Sequence, residues 1–198
     1  MKKIVYVSLS LMVLFFACKK DEDDTNPTLS QTFVINSTDA SGWEYFSFAK
    51  NDTITVADPS TSTEWDLAFQ RYRIKTNSGK SGSGQGGAAN TYLTGQSGFD
   101  DLKLASDTLR FVTDDAVQIA VQGGYSTYVV NPAMYTWFTM EMATMGTQIV
   151  PTDNIYVVKT GDGKYAKVWI KSYYSATNAS GYVTIQYKYQ ADGSKNLE

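Results

Sequence analysis

Histidine is absent from this chain of 198 residues, and cysteine occurs once, as Cys18. No Ser-His-Asp triad, Cys-His nucleophile, HExxH zinc helix or Cys/His zinc cluster can be built from such a set. A lone cysteine also forbids an intrachain disulfide. Carboxylates, tyrosine, lysine and methionine remain. Paired carboxylates could hydrolyse glycosides. However, Glu44, Asp66 and Glu141 lie on separate strand-like segments, and Asp100-Asp101 and Asp114-Asp115 sit in turn contexts, where acids commonly form the turn itself. No acid pair stands out, so the chain reads as a binding protein and not an enzyme. No Asp-x-Asp-x-Asp-Gly loop for calcium occurs. Gly79-Lys80-Ser81 has the end of a P-loop, but Ile74 stands where its first glycine is required. The Gly/Ser run 78–87 therefore reads as a bent connection.

Methionine is the unusual feature. Of six in the chain, Met134, Met140, Met142 and Met145 fall within a short stretch. At period two, Met134, Thr136, Phe138, Met140 and Met142 would share one strand face. Two readings stay open: methionine filling core gaps, or a soft thioether site for haem iron or copper.

The elements that must carry these side chains are strands. Aromatics make up 14% of the chain, with 14 Tyr, and charged residues only 19%. Extended runs are expected at 31–36, 43–50, 53–56, 64–76, 88–93, 108–112, 116–121, 125–130, 135–142, 154–160, 164–173 and 181–190. A short helix is expected within 97–104, and 143–153 reads as loop. Within 64–76, the face of Trp65, Leu67 and Phe69 continues into Arg71, Arg73 and Lys75, as in a strand that leaves the core to become a charged sheet edge; a basic ligand clamp is the other reading. The fold expected is all-β: a single domain of packed antiparallel sheets with little helix. A net charge of −3 gives no electrostatic case for nucleic acid.

Residues 1–17 read as a signal peptide: Lys2 and Lys3 precede an apolar run from Ile4 to Ala17, too short to span a bilayer. Leu14-Phe15-Phe16-Ala17-Cys18 resembles a bacterial lipobox, with Phe15 and Phe16 bulkier than its strict form. Cys18 is the expected lipidation site, and a lipid there would anchor the chain to a membrane without a spanning helix. Residues 18–30 form a polar tether, whose Lys19-Lys20-Asp21-Glu22-Asp23-Asp24 resembles the surface-export signal of Bacteroidota lipoproteins. The all-β domain is expected to occupy 31–198.

Three further stretches occur in order. They are Trp43-Glu44-Tyr45-Phe46-Ser47-Phe48, Trp65-Asp66-Leu67-Ala68-Phe69-Gln70-Arg71-Tyr72, and Thr76-Asn77-Ser78-Gly79 with Gly86-Gly87-Ala88. With the hairpin-like stretch from Val157 to Val168, they resemble the HmuY family of Bacteroidota haem-binding lipoproteins. The resemblance implies an all-β haemophore on the outer membrane, facing outwards. It would capture haem from haemoproteins or solution and pass it to an outer-membrane transporter. Family members hold haem between two axial side chains, both histidine in the best-known members, and this chain has none. The resemblance puts one axial position on Met142 and the other near Gly124 to Tyr128, where Tyr125 and Tyr128 stand. Met134, Met140 and Met145 are alternatives, and Tyr135, Trp137 and Phe138 would cover the porphyrin. Thioether sulfur favours ferrous haem. Tyrosinate would favour ferric, at the cost of removing a proton that tyrosine ordinarily holds to about pH 10. The alternative is a surface lipoprotein of the same fold that does not bind haem. It would take a glycan or peptide through exposed aromatics such as Trp43 or Trp137, or serve as a structural module.

Overall fold

The computed structural model describes residues 29–121, 123–144 and 146–198. The expected signal peptide, Cys18, most of the tether and Met145 lie outside the described residues. Thirteen strands and one short helix are present in it: β1 Gln31–Asn36, β2 Glu44–Ser47, β3 Asp52–Ile54, β4 Leu67–Gln70, β5 Arg73–Thr76, β6 Gly87–Thr94, α1 Gly95–Asp101, β7 Asp115–Val121, β8 Gly124–Val130, β9 Phe138–Ala143, β10 Gly146–Pro151, β11 Asn154–Lys159, β12 Tyr165–Tyr174 and β13 Ser180–Gln190. A five-stranded sheet runs in the order β1-β13-β12-β11-β6, and a four-stranded sheet runs β3-β2-β4-β5. Two further hairpins, β7-β8 and β9-β10, form separate two-stranded ribbons. Every pairing is antiparallel.

Strand alternation explains the layering. On β11, Tyr156 and Val158 face the four-stranded sheet and join a core with Phe46, Leu67, Phe69, Val168, Ile185 and Tyr187. Ile155 and Val157, between and beside them, face the other way. They pack under α1 and the chain's end, with Phe99, Leu102, Ala105 and Leu197. A sheet covered on both faces needs apolar residues at successive positions, which is why 155–158 lacks a polar face. Lys167 also points to this second side, where its ammonium donates to the carbonyls of Phe99 (2.8 Å) and Leu102 (2.9 Å) and so satisfies the end of α1.

Four expectations change. Residues 64–76 are not one strand. Arg71 and Tyr72 form a two-residue turn, with Gln70 opposite Arg73. No turn-forming residue type announces it. Tertiary contacts impose the turn instead: the Arg71 amide donates to the Ser37 carbonyl (2.9 Å), and the Ser37 hydroxyl donates to the Arg71 carbonyl (3.0 Å). The Arg71 guanidinium reaches the Ser180 hydroxyl at 2.9 Å. Residues 135–142 also break in two, because Met134–Thr136 is a 3-10 turn and only Phe138 onwards is strand. Residues 146–151, expected as loop, pair with β9 throughout, Thr147 opposite Met142 and Ile149 opposite Met140. Of 108–112, Val112 alone pairs with a strand, as a single bridge to Ala88.

The Gly/Ser run wraps one side chain. Asn77 is fully buried, its amide nitrogen donating to the carbonyls of Ser62 (2.8 Å) and Trp65 (2.9 Å), while its side-chain oxygen accepts from the Gly84 amide (3.1 Å). Glycine is required by proximity here: a Cβ on Gly86 would lie 2.5 Å from the Asn77 carbonyl oxygen and 3.0 Å from its carbon, both backbone atoms. Gly86→Ala is therefore expected to cost about 1–3 kcal/mol, the range of overpacked sites, read as a lower urea midpoint. An unchanged midpoint would mean that the loop shifts freely.

Candidate functional site

The two isolated hairpins border a cleft of about 820 Å³, into which Ala120 and Val121 project from β7 and Met140, Thr147, Gln148 and Ile149 from the β9-β10 hairpin. Its floor comes from the β4-β5 turn and the end of β12: Arg71, Tyr72, Tyr173 and Tyr174.

Each hairpin is fixed at its base. Asp114 and Asn131, which flank β7-β8, are buried side by side. Asp114 accepts from the Thr76 amide (3.0 Å) and hydroxyl (2.6 Å) and from the Asn131 amide (3.1 Å). Asn131 also donates to the Val112 carbonyl (2.8 Å) and accepts from the Met134 amide (3.1 Å). Asp114 was expected to be a turn former with Asp115, but here it clamps β5 to the hairpin. Burial pushes its carboxyl above the ordinary range, and the hydrogen bonds from Thr76 and Asn131 pull against that. The β9-β10 hairpin is held by the Trp137 indole, which donates to the Tyr72 carbonyl (2.9 Å), and by the Ile149 amide, which donates to the Tyr174 hydroxyl (2.9 Å).

Cross-strand partners in an antiparallel pair share a face. Tyr125 is opposite Ala120 and Met142 is opposite Thr147, and both partners line the cleft. Tyr125 and Met142 do not themselves line the cleft; both sit nearer the hairpin tips. They are 75% and 86% exposed, which places them at the rim and not on the floor. Met140, 47% exposed, stands deeper on the same wall as Met142.

The other named residues lie elsewhere. Tyr128 is on the opposite face of β8 from Tyr125, with the Arg73 guanidinium 4.2 Å from its ring centre. Met134 is fully buried in the main core, in accord with the packing reading. Trp137 is buried and Tyr135 and Phe138 are half-buried; they back the floor, Phe138 lying 5.2 Å from Tyr72 and Trp137 6.3 Å from Tyr173, ring centre to ring centre. Arg71 was named only within the alternative reading of a basic clamp, and Tyr72, Tyr173 and Tyr174 were not named as site residues. Their one signal was the Arg71-Tyr72 pair in a run too long for one strand. Burial raises the Tyr173 hydroxyl's pKa, with Arg71 opposing it, so this floor tyrosine is a neutral phenol at neutral pH.

Two packed antiparallel sheets thus carry a pair of hairpins over a tyrosine-floored cleft, whose volume falls within the roughly 300–1,000 Å³ of small-molecule sites. The HmuY protein family model matches residues 39–187, and the chain belongs to the HmuY family. A protein of Bacteroides fragilis assigned as a lipoprotein is similar in structure, with a TM-score of 0.63 and 21% identity, over 84% of this chain and 91% of that one. A Bacteroides vulgatus protein assigned as HmuY-like and heme binding gives a TM-score of 0.58 at 27% identity, over 80% and 91%. The apo HmuY analog of Tannerella forsythia gives 0.58 at 22% identity, over 82% and 96%. No curated protein matches the chain.

Proposed function

We propose that the protein is a haem-binding surface lipoprotein, a haemophore without turnover, whose haem sits in the cleft between the β7-β8 and β9-β10 hairpins. The observation that carries this reading is a cleft floored by tyrosines and lined by Met140, with Met142 and Tyr125 exposed opposite the cleft-lining Thr147 and Ala120. The donor set fits the group. Met140 offers thioether sulfur in the cleft, Met142 offers another two residues along the same strand face, and Tyr125 offers a phenol from the other hairpin. Tyr72, Tyr173 and Tyr174 supply an aromatic floor, and Arg71 supplies a cation for a propionate. Bound there, haem would present an iron open to axial ligation, with thioether favouring the ferrous form. Lipidation at Cys18 would tether the protein to the outer membrane, and an outer-membrane transporter would receive the haem.

The test is a haem titration with absorbance spectra in ferric and dithionite-reduced states. One haem per chain is expected, with a low-spin spectrum that is stronger when reduced. Met142→Ala is expected to shift that spectrum and weaken reduced binding at least tenfold. If neither Met142→Ala nor Met140→Ala alters spectrum or affinity, the thioether wall plays no part. Absence of saturation in both iron states would end the haem reading.

A further inference from the structure

A second cleft, of about 700 Å³, lies between the end of β6, the 108–112 segment and the 3-10 turn, and shares no lining residue with the first. At its edge β6 bulges. Asn90 pairs with Tyr156 and Thr94 with Asn154, so three residues of β6 face Ile155 alone. Bulges of this kind re-aim a side chain. Tyr92, at the crest, has a φ of 61°, a left-handed backbone that a bulky residue rarely adopts, and its side chain is 85% exposed. The conformation is secured locally: the Asn90 side-chain oxygen accepts from the Tyr92 amide (2.8 Å), and the Thr91 hydroxyl donates to the Ile155 carbonyl (2.7 Å). Strain held in place to present an aromatic ring to solvent is the mark of a contact residue, because folding gains nothing from it.

The surroundings of Tyr92 define the ligand. Arg110 lines the same cleft and is exposed, with no salt bridge among the described residues. The nearest acids in sequence are engaged elsewhere, Asp107 by Lys195, Asp114 by Thr76 and Asn131, and Asp115 by Lys80. Asn90, Thr108 and Thr136 add neutral donors and acceptors. An exposed tyrosine face suits the C–H face of a sugar ring, small hydroxyl and amide groups suit its hydroxyls, and a free guanidinium suits a carboxylate. We propose that this second cleft binds an acidic saccharide, with a sugar ring stacked on Tyr92 and the carboxylate held by Arg110.

The experiment is calorimetric titration of the full chain with 3′-sialyllactose and with digalacturonate, against lactose as the neutral sugar. At least one acidic sugar is expected to bind saturably at one site per chain, ten or more times tighter than lactose. Tyr92→Ala is expected to weaken it at least tenfold, and Arg110→Gln to reduce it to the level of lactose. Met142→Ala should leave sugar binding unchanged, which separates this site from the haem cleft. Tyr92→Gly, which relieves the left-handed strain, should keep or raise the melting temperature while losing the sugar. No saturable binding of either acidic sugar, affinity unaffected by both Tyr92→Ala and Arg110→Gln, or a marked loss of thermal stability in Tyr92→Gly would overturn the proposal.

Discussion

Asn77→Ala is expected to lower the unfolding free energy by about 3–5 kcal/mol, measured by urea denaturation. The side chain is fully buried and makes three hydrogen bonds, two given to the carbonyls of Ser62 and Trp65 and one taken from the Gly84 amide. Truncation strands all three backbone groups beside a loop too tightly wrapped to rearrange. A buried orphan costs about 1–3 kcal/mol, and the partly exposed Ser62 carbonyl belongs at the low end. Asn77→Asp is the informative companion. It keeps the shape and the acceptor but replaces both donors with an anion facing two carbonyl oxygens, so it should be at least as damaging. A loss under about 1 kcal/mol in Asn77→Ala would show that the 78–87 loop holds its own conformation, and that Asn77 fills space rather than organising it.

Stability is expected to fall as pH rises from about 4 to about 6, in a way that Asp66→Asn removes. Asp66 joins the two sheets: its carboxylate accepts from the Phe48 amide (2.8 Å) and from the Gly161 amide (3.0 Å). Burial raises its pKa from 3.8 to about 6; the two amides and Lys164 oppose that shift, and Asp162 adds to it. The sign follows from proton counts. Between 3.8 and about 6 the folded state holds a proton on Asp66 that the unfolded state has released. The unfolded state therefore binds fewer protons, and stability declines across that window, then levels off above it. The full span is on the order of 3 kcal/mol, since each unit of pKa is about 1.4 kcal/mol. Exposed acids whose pKa is lowered by local hydrogen bonds, such as Asp39 and Asp58, act with the opposite sign. Solvent screening keeps their share small. The quantity to measure is the difference between wild type and Asp66→Asn in urea stability at pH 4, 5, 6 and 7. Parallel curves would mean that Asp66 does not titrate in this range.

Much of the architecture was legible in order of residues alone. Period-two alternation located most strands, Asn51-Asp52 and Gly161-Asp162-Gly163 located their turns, and the absence of histidine excluded every imidazole-dependent site. These properties are local or compositional, so the sequence carries them without a fold. The motifs at 43–48, 65–72 and 76–88 meet in the structure around Asp66 and Asn77, through the Phe48 amide and the Trp65 carbonyl.

The site was less legible. Met142 and Tyr125 could be named, yet only strand pairing sets them opposite Thr147 and Ala120, which line one cleft. Nothing local distinguished Asp114, a buried clamp, from Asp115 beside it, which is exposed and paired with Lys80. The turn at Arg71-Tyr72 has no glycine, asparagine or proline to mark it and is set by Ser37 and Ser180, distant in sequence. That turn makes Arg71 and Tyr72 part of the cleft floor and brings Tyr173 and Tyr174 beside them. Composition and alternation are written along the chain. A cleft floor assembled from the β4-β5 turn and the end of β12 exists only once long-range hydrogen bonds have brought those segments together, so it was the tertiary structure that decided it.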